Sequence, residues 1–364
     1  MKITGVKTTL FNNLPPACGR DHEVPRGPSR NACCLVELAT DSGLTGIGFA
    51  AARARPAIQT LARDVLIGED PRAAAALWQR TGEQQPGRGD GMYHHARAVL
   101  DLAVWDLKAK AQNEPLWKTL GGTRPRANAY ASWTVAQSSD KAIAKWFGVM
   151  SRDFGLAAGK LPVGEDLEAD LRRLGQVRDV LSMASHAPEL MIDAGGRWWP
   201  SEAIRCIRRM EKEFDLSFVQ RIAHNGDFLG AKHVADSIRA AVCVGGELAT
   251  GSGFLPYFHH HAANVIEIDL RQMGITGALQ IADAAYGFEL PVTMTAATGN
   301  IHVHLAAVMP NFMSMEVIEA GPGEGIIASD VRFESGRGIA GDAAGHGLTV
   351  SPERLAKATL DTED

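Results

Sequence analysis

Polar residues recur at near-regular intervals along the second half of this chain, each at the end of a short apolar run. The steps between successive positions are 27, 27, 22, 26 and 21 residues, about the length of one strand, one helix and the turns that join them. Side chains at the carboxyl ends of parallel strands meet at one mouth, so we expect these residues to gather at one site. The positions are Asp193, Gln220, Glu247, Asp269, Thr295 and Glu316.

The same spacing predicts eight parallel strands with helices between them. Such a set closes most simply into a barrel. An open doubly wound sheet is the alternative, but none of these strands is followed by the Gly-x-Gly-x-x-Gly sequence typical of many such sheets. The predicted strands are Ala127–Ser132, Ala157–Pro162, Glu189–Asp193, Ser217–Gln220, Ala241–Glu247, Asn264–Asp269, Leu290–Thr295 and Phe312–Glu316.

The residues before this region have a different pattern. Ile3–Phe11 and Cys33–Leu38 look like strands, and Ala96–Ala111 has the spacing of an amphipathic helix. The segment between the two strands is rich in Pro, Gly and charge, which indicates a loop. We therefore expect an α+β domain at residues 1–125, a barrel at 126–325, and a segment at 326–364 that packs back on the first domain.

Composition excludes several classes of function. The net charge is −5 and no basic cluster stands out, which argues against nucleic acid or an anionic membrane as a partner. The five cysteines are odd in number and form no Cys-x-x-Cys, so neither a disulfide framework nor a zinc ribbon is indicated. The sequence has neither an apolar run of membrane-spanning length nor the pattern of a signal peptide at its start. We expect a cytoplasmic protein.

The order and spacing of several segments resemble one known family over nearly the whole chain. The chain is similar to the mandelate racemase and muconate-lactonizing branch of the enolase superfamily. Two of the segments that carry the resemblance precede the barrel, LVELATDSGLTGIGFA and AVLDLAVWDLKAKAQNEPLWKTLGG. The others lie in the barrel and are GKLPVGE, LMIDAGGRWW, VGGELATG, NVIEIDLRQMGITGALQIADAAYGFELPV and HLAAVMPN.

This resemblance implies both a fold and a chemistry. The fold is an α+β capping domain on a modified (β/α)7β barrel of the TIM type, commonly in a symmetric homo-oligomer. The chemistry is removal of a proton next to the carboxylate of a small substrate, with the resulting enediolate stabilised by Mg2+ at the barrel mouth. The outcomes include racemisation, cycloisomerisation and dehydration of acid sugars.

The resemblance assigns the metal ligands to three strand ends. Asp193 matches the first ligand and Glu247 the third. Gln220 stands where the second, a glutamate in Phe-x-Glu-x-Pro, is expected. Gln220 still offers a carbonyl oxygen but removes one negative charge, so we expect weaker Mg2+ binding. The alternative is that Gln220 is a hydrogen-bonding residue in a mouth without metal.

The positions that handle the proton and the substrate depart further from the family pattern. Lys160 matches the companion of the usual base lysine, whose own place is taken by Pro162. Asp269 matches the acid of a His–Asp pair, while the histidine's place holds Thr295, or Ala296 after a shift of one residue. Glu316 matches an acid that binds the substrate carboxylate. For Lys160 a structural ion pair with Asp193 or Glu247 stays open, as does a local pair between Asp269 and Arg271.

One histidine is a candidate for proton transfer. His22 lies in the loop that closes over the substrate in this family, so we predict that it supplies the acid or base that the barrel lacks. For His302 and His304 we expect a packing role. We expect His94 and His95 to be solvated.

Two functions follow from these patterns. The first is a Mg2+-dependent lyase or isomerase, similar to acid-sugar dehydratases, that acts on a small hydroxy acid with Lys160, Asp269, Glu316 and His22 as catalytic residues. The second is a homologue that keeps the scaffold, has lost the ordinary chemistry, and serves as a binding or non-catalytic protein. Loss of both usual bases and of one metal carboxylate is what keeps the second function open.

Overall fold

A computed structural model describes residues 1–12, 32–84, 91–134, 138–320 and 325–360. The chain begins with a three-stranded antiparallel sheet, formed by β1 (Ile3–Asn12), β2 (Ala32–Thr40) and β3 (Thr45–Ala51). Four helices follow: α1 (Arg55–Leu61), α2 (Ala74–Glu83), α3 (Gly91–Ala111) and α4 (Leu116–Thr119). This is the predicted capping domain, with its sheet and helices in one unit.

The long helix α3 packs directly on β3, and a glycine allows the close approach. A Cβ atom placed on Gly46 would lie 2.2 Å from the backbone oxygen of Ala103. Only glycine fits at such a contact, since any side chain would force the helix away from the strand.

Eight parallel strands form a closed barrel, as the sequence predicts. The last strand pairs with the first, so the open doubly wound alternative is excluded. The strands are β4 (Arg126–Ser132), β5 (Ala158–Pro162), β6 (Glu189–Asp193), β7 (Leu216–Gln220), β8 (Ala241–Val244), β9 (Val265–Ile268), β10 (Val292–Met294) and β11 (Phe312–Val317).

Three of these strands end earlier than predicted. Strands β8, β9 and β10 stop at Val244, Ile268 and Met294. The predicted site residues Glu247, Asp269 and Thr295 therefore lie in the turns beyond the strands. The turn after β8 begins at Gly245, which has a φ of 124° and so leaves the extended backbone at once.

Each of the first seven barrel strands is followed by a helix in the described part of the chain, which gives the (β/α)7β order. Several helices begin at a side-chain cap, for example Asp166 before α6 and Asp269 before α10. No helix within the described ranges has both the length and the apolar character needed to cross a bilayer. The helices are α5 (Asp140–Phe154), α6 (Leu167–Leu181), α7 (Pro200–Met210), α8 (Phe228–Ala235), α9 (Gly251–His259), α10 (Leu270–Gly287) and α11 (Val303–Ala306).

The C-terminal segment contacts both the barrel and the cap. Its strand β14 pairs antiparallel with β4 of the barrel, while Thr359 forms a bridge to Phe11 at the end of β1. The elements are β12 (Ile327–Ser329), β13 (Arg332–Glu334), β14 (Arg337–Ile339), β15 (Leu348–Val350) and α12 (Pro352–Ala358).

Two buried carboxylates on α3 join the cap to the rest of the molecule, and we call them the interface carboxylates. Asp101 accepts hydrogen bonds from the backbone N–H and the hydroxyl of Thr276 on α10, at 2.8 and 2.7 Å. Asp106 accepts from the backbone N–H groups of Ile47 and His346 and from Lys110. Burial raises the pKa of Asp101 to about 6, against the opposing effect of its hydrogen bonds to Thr276.

Candidate active site at the barrel mouth

Four polar side chains from four different strands form a connected chain inside the barrel, which we call the interior cluster. Lys160 on β5 lies with its Nζ 2.7 Å from Oε1 of Glu316 on β11 and donates a second hydrogen bond to the amide oxygen of Gln220. The amide Nε2 of Gln220 donates to Oε1 of Glu267 on β9 at 2.6 Å. Each of the four residues is at most 5 % exposed. Lys160 therefore pairs with Glu316 rather than with Asp193 or Glu247.

The charges of this cluster follow from burial and from one another. Burial alone would lower the pKa of Lys160, but the carboxylates around it, Glu316 first, raise that pKa well above its usual value. Burial likewise pushes the pKa of Glu316 up, and the Lys160 ammonium more than offsets this and lowers it. Burial raises the pKa of Glu267 to about 7. These carboxylates therefore favour the protonated, cationic form of Lys160.

Closer to solvent, three charged side chains form what we call the rim cluster. Arg221 donates from Nε to Oδ1 of Asp193 at 2.7 Å, and its NH2 group also bonds to Oδ2 of the same carboxylate. The NH1 group of Arg221 lies 3.6 Å from Oε1 of Glu247. The guanidinium thus lies between the two carboxylates that the resemblance assigns to a metal ion.

As arranged, the three predicted metal ligands do not fit Mg2+. Asp193 and Glu247 face a guanidinium, and the amide of Gln220 is used by Lys160 and Glu267 in the interior cluster. Mg2+ requires oxygens directed at one point in near-octahedral geometry. Over residues 1–12, 32–84, 91–134, 138–320 and 325–360, no three His, Cys, Asp or Glu side chains are placed to hold one ion.

Asp269 forms the local pair with Arg271 that the sequence left open. It caps α10 by accepting from the Arg271 backbone N–H at 2.8 Å, and it accepts from Nε of the same side chain at 2.9 Å. Thr295, in the place of the family's histidine, donates its hydroxyl to the backbone oxygen of Ile268. Asp269 thus bonds to Arg271 and Thr295 to Ile268, and not to each other.

The expected roles of the other histidines are met in part. His302 and His304 are fully buried, and burial lowers their pKa values to about 4 and about 3, so both are neutral packing residues. His95 is not simply solvated, because it lies inside α3 and is half-buried. Burial lowers its pKa, which the nearby Asp269 carboxylate partly opposes. His22 lies outside the described residues.

A small cleft of about 40 Å³, open to solvent, lies between the rim and the interior. Arg221 and Glu247 of the rim cluster line its outer part, and Glu267 of the interior cluster also faces it. The cleft offers a cation, an amide and a hydroxyl to a small polar ligand through Arg221, Asn225 and Tyr257.

Sequence reasoning missed two residues of this site, Glu267 and Arg221. The signal for Glu267 was a charged residue in the middle of the apolar run VIEID, at a position whose side chain points into the barrel. The signal for Arg221 was a cation directly after a strand end. Its φ of 46°, a left-handed value rare for a non-glycine residue, redirects the chain at that point.

Comparison with protein families places both parts of the chain. The family described as enolase C-terminal domain-like matches residues 148–354. The N-terminal domain of mandelate racemase and muconate lactonizing enzyme matches residues 26–121. Together these ranges cover most of the cap and the barrel.

Individual relatives match along most of the chain. The L-talarate/galactarate dehydratase of Salmonella typhimurium is 27 % identical over 88 % of this chain and 81 % of its own length. The 3,6-anhydro-alpha-L-galactonate cycloisomerase of Streptomyces coelicolor is also 27 % identical, over 88 % and 90 %. L-Talarate dehydratase from Polaromonas sp. JS666, solved with Mg and L-glucarate, superposes with a TM-score of 0.81 at 27 % identity, over 99 % of this chain and 98 % of that one.

Proposed function

Since this chain belongs to the mandelate racemase and muconate-lactonizing branch of the enolase superfamily, we propose that it is a lyase or an isomerase acting on a small hydroxy carboxylate. The reaction begins with removal of the proton next to the carboxylate. The observation that carries this proposal is the buried Lys160 ammonium, held 2.7 Å from Glu316 inside the barrel. A fixed cation stabilises negative charge that develops on a carboxylate when the neighbouring carbon loses its proton.

Acid sugars are the substrate class that this proposal favours. The relatives described above act on talarate, galactarate and an anhydrogalactonate, which are polyhydroxy acids. The cleft matches that chemistry, because Arg221 suits a carboxylate while Asn225, Tyr257 and Glu247 suit hydroxyl groups. Dehydration or cycloisomerisation of such an acid is therefore the proposed outcome.

The proposed catalytic residues have different tasks. Lys160, which is buried and paired with Glu316, is proposed to supply positive charge from beneath the mouth. Asp269 is held by Arg271 at the start of α10 and is proposed to fix the position of that guanidinium near the mouth. His22 is proposed to carry the proton, because Pro162 and Thr295 cannot do so at the positions where the family has its bases.

Magnesium enters the proposal only as a prediction from the relatives. Held by Asp193, Gln220 and Glu247, the ion would supply positive charge near the substrate carboxylate, but that would require Arg221 to leave Asp193 and Glu247 and Gln220 to leave Lys160 and Glu267. Because Arg221 lies between two of these residues, no step proposed for this chain depends on the ion.

A second candidate function is metal-free binding of a small carboxylate without turnover. One observation favours it: both side chains at the family's base positions, Pro162 and Thr295, are unable to accept a proton, and Lys160 is locked as a cation. A protein of this kind would bind an acid in the cleft and release it unchanged.

Exchange of the α-proton distinguishes the two candidates. The protein is incubated in heavy water with a panel of acid sugars and hydroxy acids, with and without Mg2+, and followed by NMR. The lyase or isomerase proposal expects exchange or dehydration with at least one acid, and loss of that reaction in Lys160→Met. An acid that binds to the wild type without exchange or product supports the second candidate.

The location, the assembly and the partners of this protein are also proposed. We propose a cytoplasmic protein that forms a symmetric homo-oligomer and takes a small carboxylate as its only partner. The net charge of −5 supports the view that neither nucleic acid nor an anionic membrane is a partner.

A further inference from the structure

We propose that the guanidinium of Arg221 is a permanent cation that takes the place of the divalent ion at the rim, so that this chain keeps Mg2+ out of its mouth. The inference goes beyond the proposed function, since it concerns the cation and not the reaction. It rests on the position of one side chain, on the charge around it, and on the use made of Gln220.

The Arg221 side chain lies between the two carboxylates that the resemblance assigns to a metal ion. Arg221 bonds through Nε and NH2 to both oxygens of Asp193, and its NH1 group lies 3.6 Å from Glu247. A two-pronged contact to one carboxylate and a close approach to a second occupy the space in which a shared metal ion would lie. An ion could bind only after the guanidinium left both carboxylates.

The net charge of the rim is the same with a guanidinium as it would be for the family's metal site. Three carboxylates around a divalent cation carry a net charge of −1, and two carboxylates around a guanidinium carry the same net charge. Gln220 lacks the charge of the family's second ligand, and Arg221 has one positive charge instead of two. The two changes compensate each other, so they belong to one rearrangement.

Both ends of the Gln220 amide form hydrogen bonds within the interior cluster. Its amide nitrogen donates to Glu267 while its oxygen accepts from Lys160. A glutamate at this position would have no N–H to offer and would face Glu267 as a second acid. The interior cluster therefore requires an amide at position 220, and a side chain held there is not available to a rim metal.

The backbone at Arg221 supports the same assignment. Its φ of 46° is rare for a residue with a side chain, and the backbone oxygen of Arg221 accepts a hydrogen bond from Gly196 at 2.7 Å. This turn directs Gln220 into the barrel and Arg221 to the rim. The side chain of Arg221 is 44 % exposed and lines the cleft.

Binding of Mn2+ in the absence of substrate tests the inference, because this ion accepts the same oxygen ligands and is seen by paramagnetic resonance. The key variant is the double substitution Gln220→Glu with Arg221→Met. It removes the guanidinium, and because a glutamate cannot donate to Glu267, the new carboxylate is released from the interior toward the rim. We expect it to bind Mn2+ at least about tenfold more tightly than the wild type. Gln220→Glu alone should stay close to the wild type, because Arg221 remains.

Two controls separate charge from general effects on the rim. Arg221→Lys keeps a cation and should still exclude Mn2+. Arg197→Met removes another arginine of the mouth, paired with Glu165 and also 44 % exposed, and should leave Mn2+ binding unchanged. Circular dichroism verifies that each variant is folded.

The wild type alone can overturn the inference. If it binds Mn2+ as tightly as the double variant, and Asp193→Asn abolishes that binding, Arg221 does not replace the ion. That measurement does not depend on the double variant being folded. The Mn2+ measurement is made without substrate, so this result would not affect the proposal that the protein is a lyase or an isomerase. Conversely, a wild type that excludes Mn2+ but turns over no acid would contradict the lyase or isomerase proposal and leave the role of Arg221 intact.

Discussion

The interface carboxylates and the barrel mouth both bury acidic side chains, but they neutralise them differently. Asp101 is held by one threonine, and Asp106 mainly by backbone N–H groups together with Lys110. In the mouth, carboxylates are matched with cations, Lys160 in the interior and Arg221 at the rim. Backbone donors are fixed by the fold, whereas side-chain cations depend on the residue at one position.

This difference indicates which parts of the molecule can change. The interface residues lie in the segments AVLDLAVWDLKAKA and QMGITG, which carry the family resemblance. The departures from the family pattern, at Pro162, Gln220 and Thr295, all lie at or just beyond the ends of barrel strands. In this chain the segments that match the family pattern hold the interface, and the departures from the pattern lie at the mouth.

Loss of Asp106 is expected to lower the stability of the protein more than any of the other substitutions below. Asp106→Ala leaves the buried N–H groups of Ile47 and His346 without their acceptor and removes the ion pair with Lys110, whose ammonium keeps the backbone oxygen of Thr45. We expect a loss of about 3–5 kcal/mol in the free energy of unfolding, measured by urea denaturation. Asp106→Asn retains an oxygen acceptor and should lose less than half as much. Equal stability of the alanine variant and the wild type would contradict this account.

The matching change in the mouth is Lys160→Met, with a somewhat smaller effect. It leaves Glu316 buried without a cation, but that carboxyl can take up a proton because the cluster lies next to the mouth. We expect about 2–3 kcal/mol of destabilisation by the same measurement. The double variant with Glu316→Gln should recover part of the loss. Failure to recover any would show that the two side chains are not coupled.

The interface should also respond to pH through Asp101. Its pKa is raised from 3.8 to about 6, so the folded state holds the proton more tightly than the unfolded state. The resulting stabilisation is complete below about pH 3.8 and is lost as the pH rises through about 6. Between about pH 5 and about pH 8, the wild type should lose about 1 kcal/mol relative to Asp101→Asn. Parallel pH profiles of the two proteins would exclude this role.

The smallest effect is expected at the rim. Arg221→Met removes a half-exposed ion pair, for which solvent screening limits the gain. We expect the free energy of unfolding to change by less than about 1 kcal/mol in urea titrations. A loss as large as that of Asp106→Ala would mean that the rim is a structural element like the interface, and the contrast between the two regions would fail.

The sequence predicted the barrel well because the apolar runs and their spacing report directly on strands. The beginning of β6 and the ends of β5, β6 and β7 agree with the prediction. The ends of β8, β9 and β10 do not, since Gly245 turns the backbone and Asp269 serves as a helix cap. Composition along the chain does not reveal where an extended run stops.

The candidate site was predicted less completely than the fold. Asp193 and Glu247 both lie beside Arg221, so their prediction as metal ligands stays a prediction. Lys160 and Glu316 were placed at the mouth, yet their direct contact and the link through Gln220 to Glu267 depend on side-chain directions inside the barrel. Such directions are set by packing between strands distant in sequence, which a single sequence does not display.

The hydrogen bond from His346 to the backbone oxygen of Ile47 joins residues that are 299 positions apart. Leu360 likewise donates its backbone N–H to Leu10 at 2.9 Å, which extends the first sheet with the end of the chain. The capping domain therefore completes its contacts only when segments 299 or more residues apart have come together. We expect slow folding for so non-local a topology, and a need for chaperones during synthesis.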